Sequence, residues 1–447
     1  MMTNTCTPVN KSERIILVDS KLSSGTVKSN ITVSKSLKKY FRCFDFFSRY
    51  DAEIIANNSI LNIPVLSNVL PLAWITGADV YVNELDKTFA ESMDLLQREY
   101  KEIYPRAPFK TKLVVDKLVK TKYAPGNTAL LFSGGLDSTY SLFSNISLNP
   151  TLIMIFGVQE IPISSVTFQE ILKTEYSTFA KREGLKINFI HTNALEILNT
   201  RRVDHLWWKF KGRHEGDFWG GLGYALGHVG QVAPLSIGKF NRLIIAASRE
   251  ETNERMIREH PHASSPSTDE KMKWANLQVK YDGCIRRHKK VHALKKVLNE
   301  HRIKFRVCWS HPELLLHLGA INCSTCEKCL RTIAPLLLAG IDPNECGFNV
   351  DDSTFNLMRT LFEQKKLSHS HITLCWKPLQ RIIPDRIEGN LCSSRQFFEW
   401  FKTINLDLLA RARPSDKSIL SLLYHKFPYS ISNLFRKFFY DSHVRSV

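Results

Sequence analysis

The chain alternates short apolar runs with longer stretches in which apolar residues recur every three or four positions, a pattern that divides it into three blocks. The first block, residues 1–126, has an apolar run at 78–82 that predicts a strand. The next segment predicts a helix whose buried face carries Phe89, Met93, Leu96 and Tyr100. Pro125-Gly126-Asn127 predicts a turn that ends the block. We therefore expect an N-terminal accessory α+β domain.

The second block, residues 127–342, alternates apolar strand-like runs with longer helical patterns, as a parallel α/β sheet requires. The strand candidates are 128–132, 152–156, 187–191, 243–247 and 304–309. A helix predicted at 285–298 has one apolar side, and its many Lys and Arg residues predict a solvated basic face, with an anion-binding surface as the alternative. A glycine cluster at 220–230 favours close helix packing.

The third block, residues 343–447, is expected to be mostly helical. Its tail is basic and carries Phe435, Phe438, Phe439 and Tyr440. Such a tail suits RNA, a membrane surface or a partner protein. Docking of the tail onto the protein's own core is the interpretation favoured by its many aromatic and leucine residues.

The composition of the chain indicates which partners and which cellular compartment to expect. The 447 residues carry a net charge of +18, which favours anionic partners such as nucleotides, pyrophosphate or RNA. No stretch approaches the roughly 18 consecutive apolar residues of a bilayer-spanning helix, and the first twenty residues lack the apolar core of a secretory signal. We therefore expect a cytoplasmic protein with no membrane span, in which clustered thiols serve as metal ligands or catalysts rather than disulfides.

The most specific signal is a glycine turn between a predicted strand and a predicted helix. Two glycines let the backbone approach an anion, while the helix offers unpaired N–H groups and the positive end of its dipole. Asp137 suits this loop only if it caps the helix or holds a Mg²⁺ ion that bridges phosphates. The expected ATP-binding residues are Ser133, Gly134, Gly135, Leu136, Asp137, Ser138 and Thr139.

This loop resembles the PP-loop of the ATP pyrophosphatase superfamily, whose Ser-Gly-Gly-x-Asp-Ser signature is matched from Ser133 to Ser138. The resemblance implies an adenine nucleotide alpha hydrolase-like, Rossmann-like fold for residues 127–342. It also implies that the loop holds the β,γ-phosphates of ATP. A substrate nucleophile then attacks the α-phosphate and pyrophosphate leaves.

A second signal is a cysteine knuckle, Cys323-Ser324-Thr325-Cys326-Glu327-Lys328-Cys329, with Cys308 upstream and fourteen residues between Cys308 and Cys323. Four thiolates close a tetrahedral zinc site, and the alternative for such spacing is a [4Fe–4S] cluster. Cys284 and Cys346 are the alternative candidates to Cys308 for the fourth ligand.

A PP-loop followed by such a knuckle resembles QueC, the 7-cyano-7-deazaguanine synthase family. The resemblance places Cys308, Cys323, Cys326 and Cys329 as zinc ligands and matches the family arginine to Arg331. It also implies a substrate pocket at the end of the strand that precedes Ser248. The residues expected to bind substrate there are Ser248, Arg249, His260 and His262.

Three departures leave the substrate open. The gap after Cys308 is longer than in QueC, the family's Tyr-Pro-Asp-Cys-Arg stretch is replaced by residues 259–269, and QueC enzymes are about half as long. Large QueC-like proteins with extra regions resemble those of anti-phage defence systems such as Qat, where related enzymes are thought to act on protein partners.

The resemblance implies a ligase that adenylates a 7-deazaguanine carboxylate, such as 7-carboxy-7-deazaguanine, and transfers it to ammonia or a protein amine. Its expected catalytic residues are Asp137, Ser138 and Arg331, with ATP, Mg²⁺ and Zn²⁺ as cofactors. Two rivals stay open: a PP-loop enzyme that modifies tRNA, which the positive charge suits, and a non-catalytic component that binds ATP within a protein complex.

Overall fold

The computed structural model describes residues 15–124, 126–158, 161–212, 216–250, 258–385 and 392–411. Within these ranges eleven strands form one sheet in the order β10-β11-β9-β6-β7-β8-β3-β2-β1-β4-β5. The strands are β1 Ile15–Ser23, β2 Thr26–Val33, β3 Asp45–Tyr50, β4 Asp79–Asp86, β5 Leu113–Val119, β6 Asn127–Leu131, β7 Thr151–Phe156, β8 Ile187–Thr192, β9 Phe240–Ala246, β10 Lys273–Trp274 and β11 Leu277–Asp282.

The sheet combines a parallel half with a mixed half. Strands β11, β9, β6, β7 and β8 run parallel to one another. Strand β3 pairs antiparallel with β8, placing Ser48 opposite Thr192, and continues into the antiparallel strands β2 and β1. Strands β1, β4 and β5 are parallel again. The architecture is therefore α/β with a large, mostly parallel sheet, and the first and second blocks of the chain share it.

Helices cover both faces of this sheet. The α-helices are α1 Asn58–Leu61, α2 Ile63–Thr76, α3 Lys87–Ile103, α4 Leu136–Ser144, α5 Val166–Arg182, α6 Thr200–Trp207, α7 Tyr224–Val229, α8 Ala233–Ser236, α9 Pro266–Asp269, α10 Arg287–His301, α11 Pro312–His317, α12 Glu327–Leu338, α13 Asp352–Glu363, α14 Lys377–Gln380, α15 Cys392–Thr403 and α16 Leu406–Arg411. Two π-helical segments, Trp219–Gly223 and His371–Trp376, and short 3₁₀ turns at 38–40, 146–148, 230–232 and 343–346 complete the set. Within the described ranges, no helix has the length and apolar composition needed to cross a membrane.

Two hydrophobic cores lie on the two faces of the sheet. Side chains alternate between faces along a strand, so Ile153 and Ile155 of β7 join one core while Leu152, Met154 and Phe156 join the other. The first core contains the buried residues of the N-terminal block, and the second contains those of the C-terminal helices. The two outer blocks of the chain thus cover opposite faces of one sheet.

Most of the element predictions are confirmed. The strand expected at 78–82 is β4, and the helix that follows it buries Phe89, Met93, Leu96 and Tyr100 as its spacing indicates. Four of the five strands expected in the second block are present as β6, β7, β8 and β9. The glycine cluster packs closely as predicted, since a Cβ on Gly230 would lie 1.9 Å from the Ser67 hydroxyl oxygen.

The strand predicted at 304–309 is wrong. The segment is mostly buried but belongs to no strand, and its backbone N–H groups donate to other partners. Phe305 donates to the Cys346 carbonyl (2.9 Å), Arg306 to the Gly134 carbonyl (2.9 Å) and Val307 to the Asn322 side chain (2.9 Å). The alternation of apolar residues reflects burial beside the glycine loop rather than a sheet position.

The C-terminal block is helical over its described part, from α13 to α16. The basic tail with Phe435, Phe438, Phe439 and Tyr440 lies outside the described residues. The expected boundary after residue 126 falls between β5 and β6, and that after residue 342 falls just beyond α12.

Candidate functional site

The serine and glycine loop lies between β6 and α4, at the carboxyl end of a central strand. Gly135 is the N-cap of α4. The Ser138 hydroxyl donates to the Gly135 carbonyl (3.1 Å), and the Gly135 N–H donates to the Ser133 hydroxyl (3.3 Å). These bonds fold the loop over the first turn of a helix, whose N–H groups lack partners within the helix.

Gly134 is required by the shape of the loop. Its φ is +72°, and a Cβ at this position would lie 2.0 Å from the Tyr176 hydroxyl oxygen. Its carbonyl accepts the Arg306 N–H, so the buried 304–309 segment supports the loop from behind. Any side chain at Gly134 would collide with Tyr176 and would strain the backbone at this positive φ.

Asp137 lies on the first turn of α4 between two cations. Its Oδ2 is 2.8 Å from Arg287 Nη2, and its Oδ1 is 2.8 Å from Lys290 Nζ. Burial alone would raise the pKa of Asp137, but Arg287 and Lys290 outweigh it and lower that pKa below its ordinary value. The capping role considered for Asp137 is wrong, because Gly135 is the cap and the carboxylate points to α10.

Arg287 and Lys290 are exceptions to the solvated basic face expected on α10, on which Lys289 and Lys296 are exposed as predicted. The Lys290 side chain is fully buried and also donates to the Ala247 carbonyl. The sequence carried a signal for this burial, since Arg287, Val291, Leu294 and Leu298 recur with helical spacing and Lys290 adjoins them. The alternative, an anion-binding surface on this helix, stays a prediction.

Arg287 also links the loop to α12. Its Nη1 donates to the Thr332 hydroxyl (2.8 Å), which in turn donates to the Lys328 carbonyl (2.8 Å). One guanidinium therefore joins the glycine loop to the helix that follows the cysteines.

A cleft that is partly open to solvent lies beside this guanidinium. Three of the four residues expected to bind substrate, Ser248, Arg249 and His260, line it together with Arg287 and Arg331. The opposite wall comes from the C-terminal block, through Leu374, Cys375, Pro378 and Leu379. That wall had no local signal in the sequence.

His262 is not among the residues that line the cleft. Its Nδ1 accepts the Ser264 N–H (3.2 Å), and its ring lies 6.0 Å from the Tyr224 ring. The loop that carries both histidines is fixed from the N-terminal block, because the Tyr100 hydroxyl donates to the Ala263 carbonyl (2.7 Å). The accessory block therefore supports one edge of the cleft.

Arg331 forms part of a second buried charge cluster. Its Nη1 donates to Cys375 Sγ (2.9 Å), and its Nε lies 3.2 Å from Glu327 Oε1. Trp376 Nε1 donates to the same carboxylate (3.0 Å). Burial would lower the pKa of Arg331, but Cys375 and Glu327 outweigh it and raise that pKa, so the guanidinium stays charged.

The four predicted metal ligands come together. The sulfur atoms of Cys308, Cys323, Cys326 and Cys329 all lie within 4.8 Å of one another, as ligands of one ion would. Two of the separations are 3.9 Å and 3.5 Å, close to the roughly 3.8 Å edge of a tetrahedron with metal–sulfur bonds of about 2.3 Å. Cys308 is thus the fourth member, rather than Cys284 or Cys346.

Backbone donors surround these sulfur atoms. The N–H groups of Ser310 and Cys323 point to Cys308 Sγ (3.2 and 3.3 Å), and that of Cys326 points to Cys323 Sγ (3.2 Å). Such donors favour the thiolate forms that bind metals. By contrast, burial raises the pKa of the Cys346 thiol to about 12.

No family model, curated protein or solved structure matches this chain. The functional assignment therefore depends on the geometry of the loop, the cleft and the cysteine cluster.

Proposed function

We propose that this protein is a QueC-like ATP-dependent ligase that adenylates a carboxylate, with release of pyrophosphate, and transfers the acyl group to an amine. The observation that carries the proposal is the loop with the Ser-Gly-Gly-x-Asp-Ser pattern, which joins a central parallel strand to a helix N-terminus beside a cationic cleft. In this proposal, ATP binds at the loop and the second substrate binds in the adjacent cleft.

The loop suits the β,γ-phosphates of ATP. The N–H groups of the first turn of α4 and the Ser133 hydroxyl are donors for phosphate oxygens, and the helix dipole favours their negative charge. Donors aimed at a departing pyrophosphate stabilise the charge that develops on it. Ser138 shapes the loop through its bond to the Gly135 carbonyl.

Asp137 does not fit a magnesium ligand in this arrangement, because each of its oxygens is bound by a cation. A Mg²⁺ ion that arrives with ATP would neutralise part of the phosphate charge. The protein's own positive charge at this position comes from Arg287 and Lys290.

The cleft suits a carboxylate with an apolar or planar body, for which we propose a 7-deazaguanine carboxylate such as 7-carboxy-7-deazaguanine. The Arg249 Nη1 donates to the His260 carbonyl (3.2 Å), and the remaining N–H groups of the guanidinium can bind a carboxylate. Leu374, Pro378 and Leu379 offer apolar surface on the opposite wall. The acceptor amine is ammonia or an amine of a protein partner, in keeping with a role in anti-phage defence.

We propose that the cysteine cluster holds one structural Zn²⁺ ion. Four protein ligands close a tetrahedral site, which leaves no position for a reacting water. A [4Fe–4S] cluster would hold the four thiolates farther apart, because four irons and their sulfides would lie between them. The ion would fix the start of α12, the helix that carries Arg331 and Thr332.

The test is incubation of the full chain with Mg-ATP and 7-carboxy-7-deazaguanine, with and without ammonia, following AMP and pyrophosphate by mass spectrometry. We expect AMP release that depends on the carboxylate and falls about 100-fold in Ser133→Ala, since loss of one donor to developing charge costs about that much. Ser144→Ala, at the exposed end of the same helix, is the matched control.

Other results would replace the proposal. ATP binding with no AMP release under any condition would indicate a non-catalytic component. AMP release that requires tRNA and weakens steeply with salt would indicate a tRNA-modifying enzyme, the alternative that the charge of +18 favours.

A further inference from the structure

Arg287 is the described residue that touches the glycine loop, α12 and the cleft together. It binds Asp137 through Nη2 and Thr332 through Nη1, each at 2.8 Å, and its side chain lines the cleft. A guanidinium carries five N–H donors. The two bonds to the protein therefore fix its plane and leave further donors for a ligand.

Lys290 differs from Arg287 although both bind Asp137. Its side chain is fully buried, and its ammonium also donates to the Ala247 carbonyl and lies 5.8 Å from the Tyr140 ring centre. Arg287 keeps 13% of its side chain exposed. The protein surrounds Lys290 on all sides, whereas Arg287 faces the cleft.

The charges at this junction do not balance. Two cations, Arg287 and Lys290, share the single negative charge of Asp137. The neighbouring cation Arg286 is already paired with Glu250. Among the residues that the structure describes, one positive charge is therefore left over where the loop meets the cleft, and an anion bound there would compensate it.

We propose that Arg287 is a catalytic residue of adenylation that binds the α-phosphate of ATP. This inference rests on the proposed function. ATP held by the loop and a carboxylate held in the cleft meet at the α-phosphorus, beside this guanidinium. A carboxylate oxygen bonds to the α-phosphorus while the bond from that phosphorus to the oxygen bridging the β-phosphate breaks, and the electron pair leaves with pyrophosphate. No proton moves in this step.

Arg287 would compensate the negative charge on the non-bridging α-phosphoryl oxygens. Asp137 and Thr332 then act as positioning residues, because they hold the guanidinium before the substrate arrives. The fully buried Lys290 keeps Asp137 in place.

The test compares Arg287→Gln and Arg287→Lys with Lys289→Gln, which removes an exposed positive charge from the same helix and lies outside the cleft lining. In the AMP release assay at saturating ATP, we expect kcat to fall about 100-fold in Arg287→Gln. A smaller fall is expected in Arg287→Lys, which keeps the charge but not the planar fork. Lys289→Gln should stay within threefold of the wild type.

A binding measurement separates this inference from the choice of carboxylate. Calorimetric titration with AMP and with adenosine, which differ only in the α-phosphate, should show about tenfold weaker binding of AMP to Arg287→Gln. Adenosine affinity should not change. If AMP release fails in the wild type but this difference appears, the proposed reaction is wrong and the α-phosphate contact stands.

Equal weakening of AMP and adenosine binding in Arg287→Gln would reduce Arg287 to a structural role and overturn the inference. Failure of the wild type to bind AMP would also overturn it. Arg287→Lys controls for misfolding of the glutamine variant, because it retains a cation next to Asp137. It should show the same pattern, with weakened AMP binding and unchanged adenosine binding.

Discussion

Asp137 and Glu327 are two partly buried carboxylates held by cations, and their surroundings differ in charge balance. Asp137 faces two full positive charges, Arg287 and Lys290, both from a helix about 150 positions later in the chain. Glu327 pairs with Arg331 one turn along its own helix and accepts the neutral Trp376 N–H. Among the described residues, the first cluster has a positive charge in excess, whereas in the second Glu327 pairs with Arg331 and lies 3.9 Å from the His371 imidazole.

This difference in charge balance distinguishes a cluster that suits an anionic ligand from a cluster that connects parts of the fold. A surplus cation in a partly buried place is costly unless a ligand anion completes it, so the Asp137 cluster favours phosphate. The Glu327 cluster is already neutral, and it ties the C-terminal block to α12 through Trp376 and Cys375. The catalytic role expected for Arg331 stays a prediction, since its charge is compensated within the protein.

The largest expected effect follows removal of the metal ligands. Cys329→Ser should abolish stoichiometric metal binding, and a structural zinc site contributes about 10–16 kcal/mol of binding free energy. Because Glu327 directly follows the ligand Cys326, hydrogen exchange should accelerate in peptides from 327–338 and 371–380. Peptides from 127–145 should change much less. Metal content and hydrogen exchange measure this, with Cys43→Ser as control. Equal loss of protection in both regions would show that the Asp137 cluster and the Glu327 cluster respond as one unit.

A smaller effect is expected for Glu327→Gln. The change leaves the Arg331 charge buried without its carboxylate, which typically costs about 3 kcal/mol or more in free energy of unfolding. Glu363→Gln removes the exposed i,i+4 pair with Arg359 and should cost about 0.5 kcal/mol. Denaturant unfolding measures both, and similar values for the two variants would show that the Glu327 cluster does not support the fold.

The smallest effect concerns the acid side of the stability curve. The folded pKa of Asp137 is lowered, so its contribution to stability is fully present above the ordinary carboxyl pKa of about 3.9. That contribution is lost as the pH falls through the folded pKa, below that value. Asp137→Asn should therefore lose less stability than the wild type between about pH 4 and pH 2. Parallel curves for the two proteins over this range would contradict the charge arrangement.

Local motifs could be predicted from the sequence, and assembled surfaces could not. The loop from Ser133 to Thr139 contains its own determinants, two glycines and two serines between a strand and a helix, and the structure has that order. Three of the four cysteines lie within seven residues, so their meeting was expected. Cys308, rather than Cys284 or Cys346, joins them because of the tertiary fold of the chain, which the spacing of the cysteines alone does not determine.

The cleft brings together segments near residues 249, 287, 331 and 375, whose proximity depends on tertiary packing. Cys375 and Trp376 look like ordinary packing residues in the sequence. The spacing on α10 puts Lys290 beside the apolar side of the helix, but its full burial depends on the contact with Asp137, because lysine is rarely fully buried. Segment 304–309 shows the same limit, since an alternating apolar pattern reports burial and not the identity of the hydrogen-bond partner.

The continuous sheet has a consequence for synthesis of the chain on the ribosome. Strand β3 is completed by β8, and the Phe47 N–H finds its acceptor on Asn193, which is made 146 residues later. At roughly 5–20 residues per second, this interval lasts about 7–30 s. Throughout it, the edge of β3 and the apolar residues of β1 and β2 await the strand and core that cover them. The antiparallel N-terminal strands are thus made first but completed late, and their protection from aggregation depends on the rate of translation.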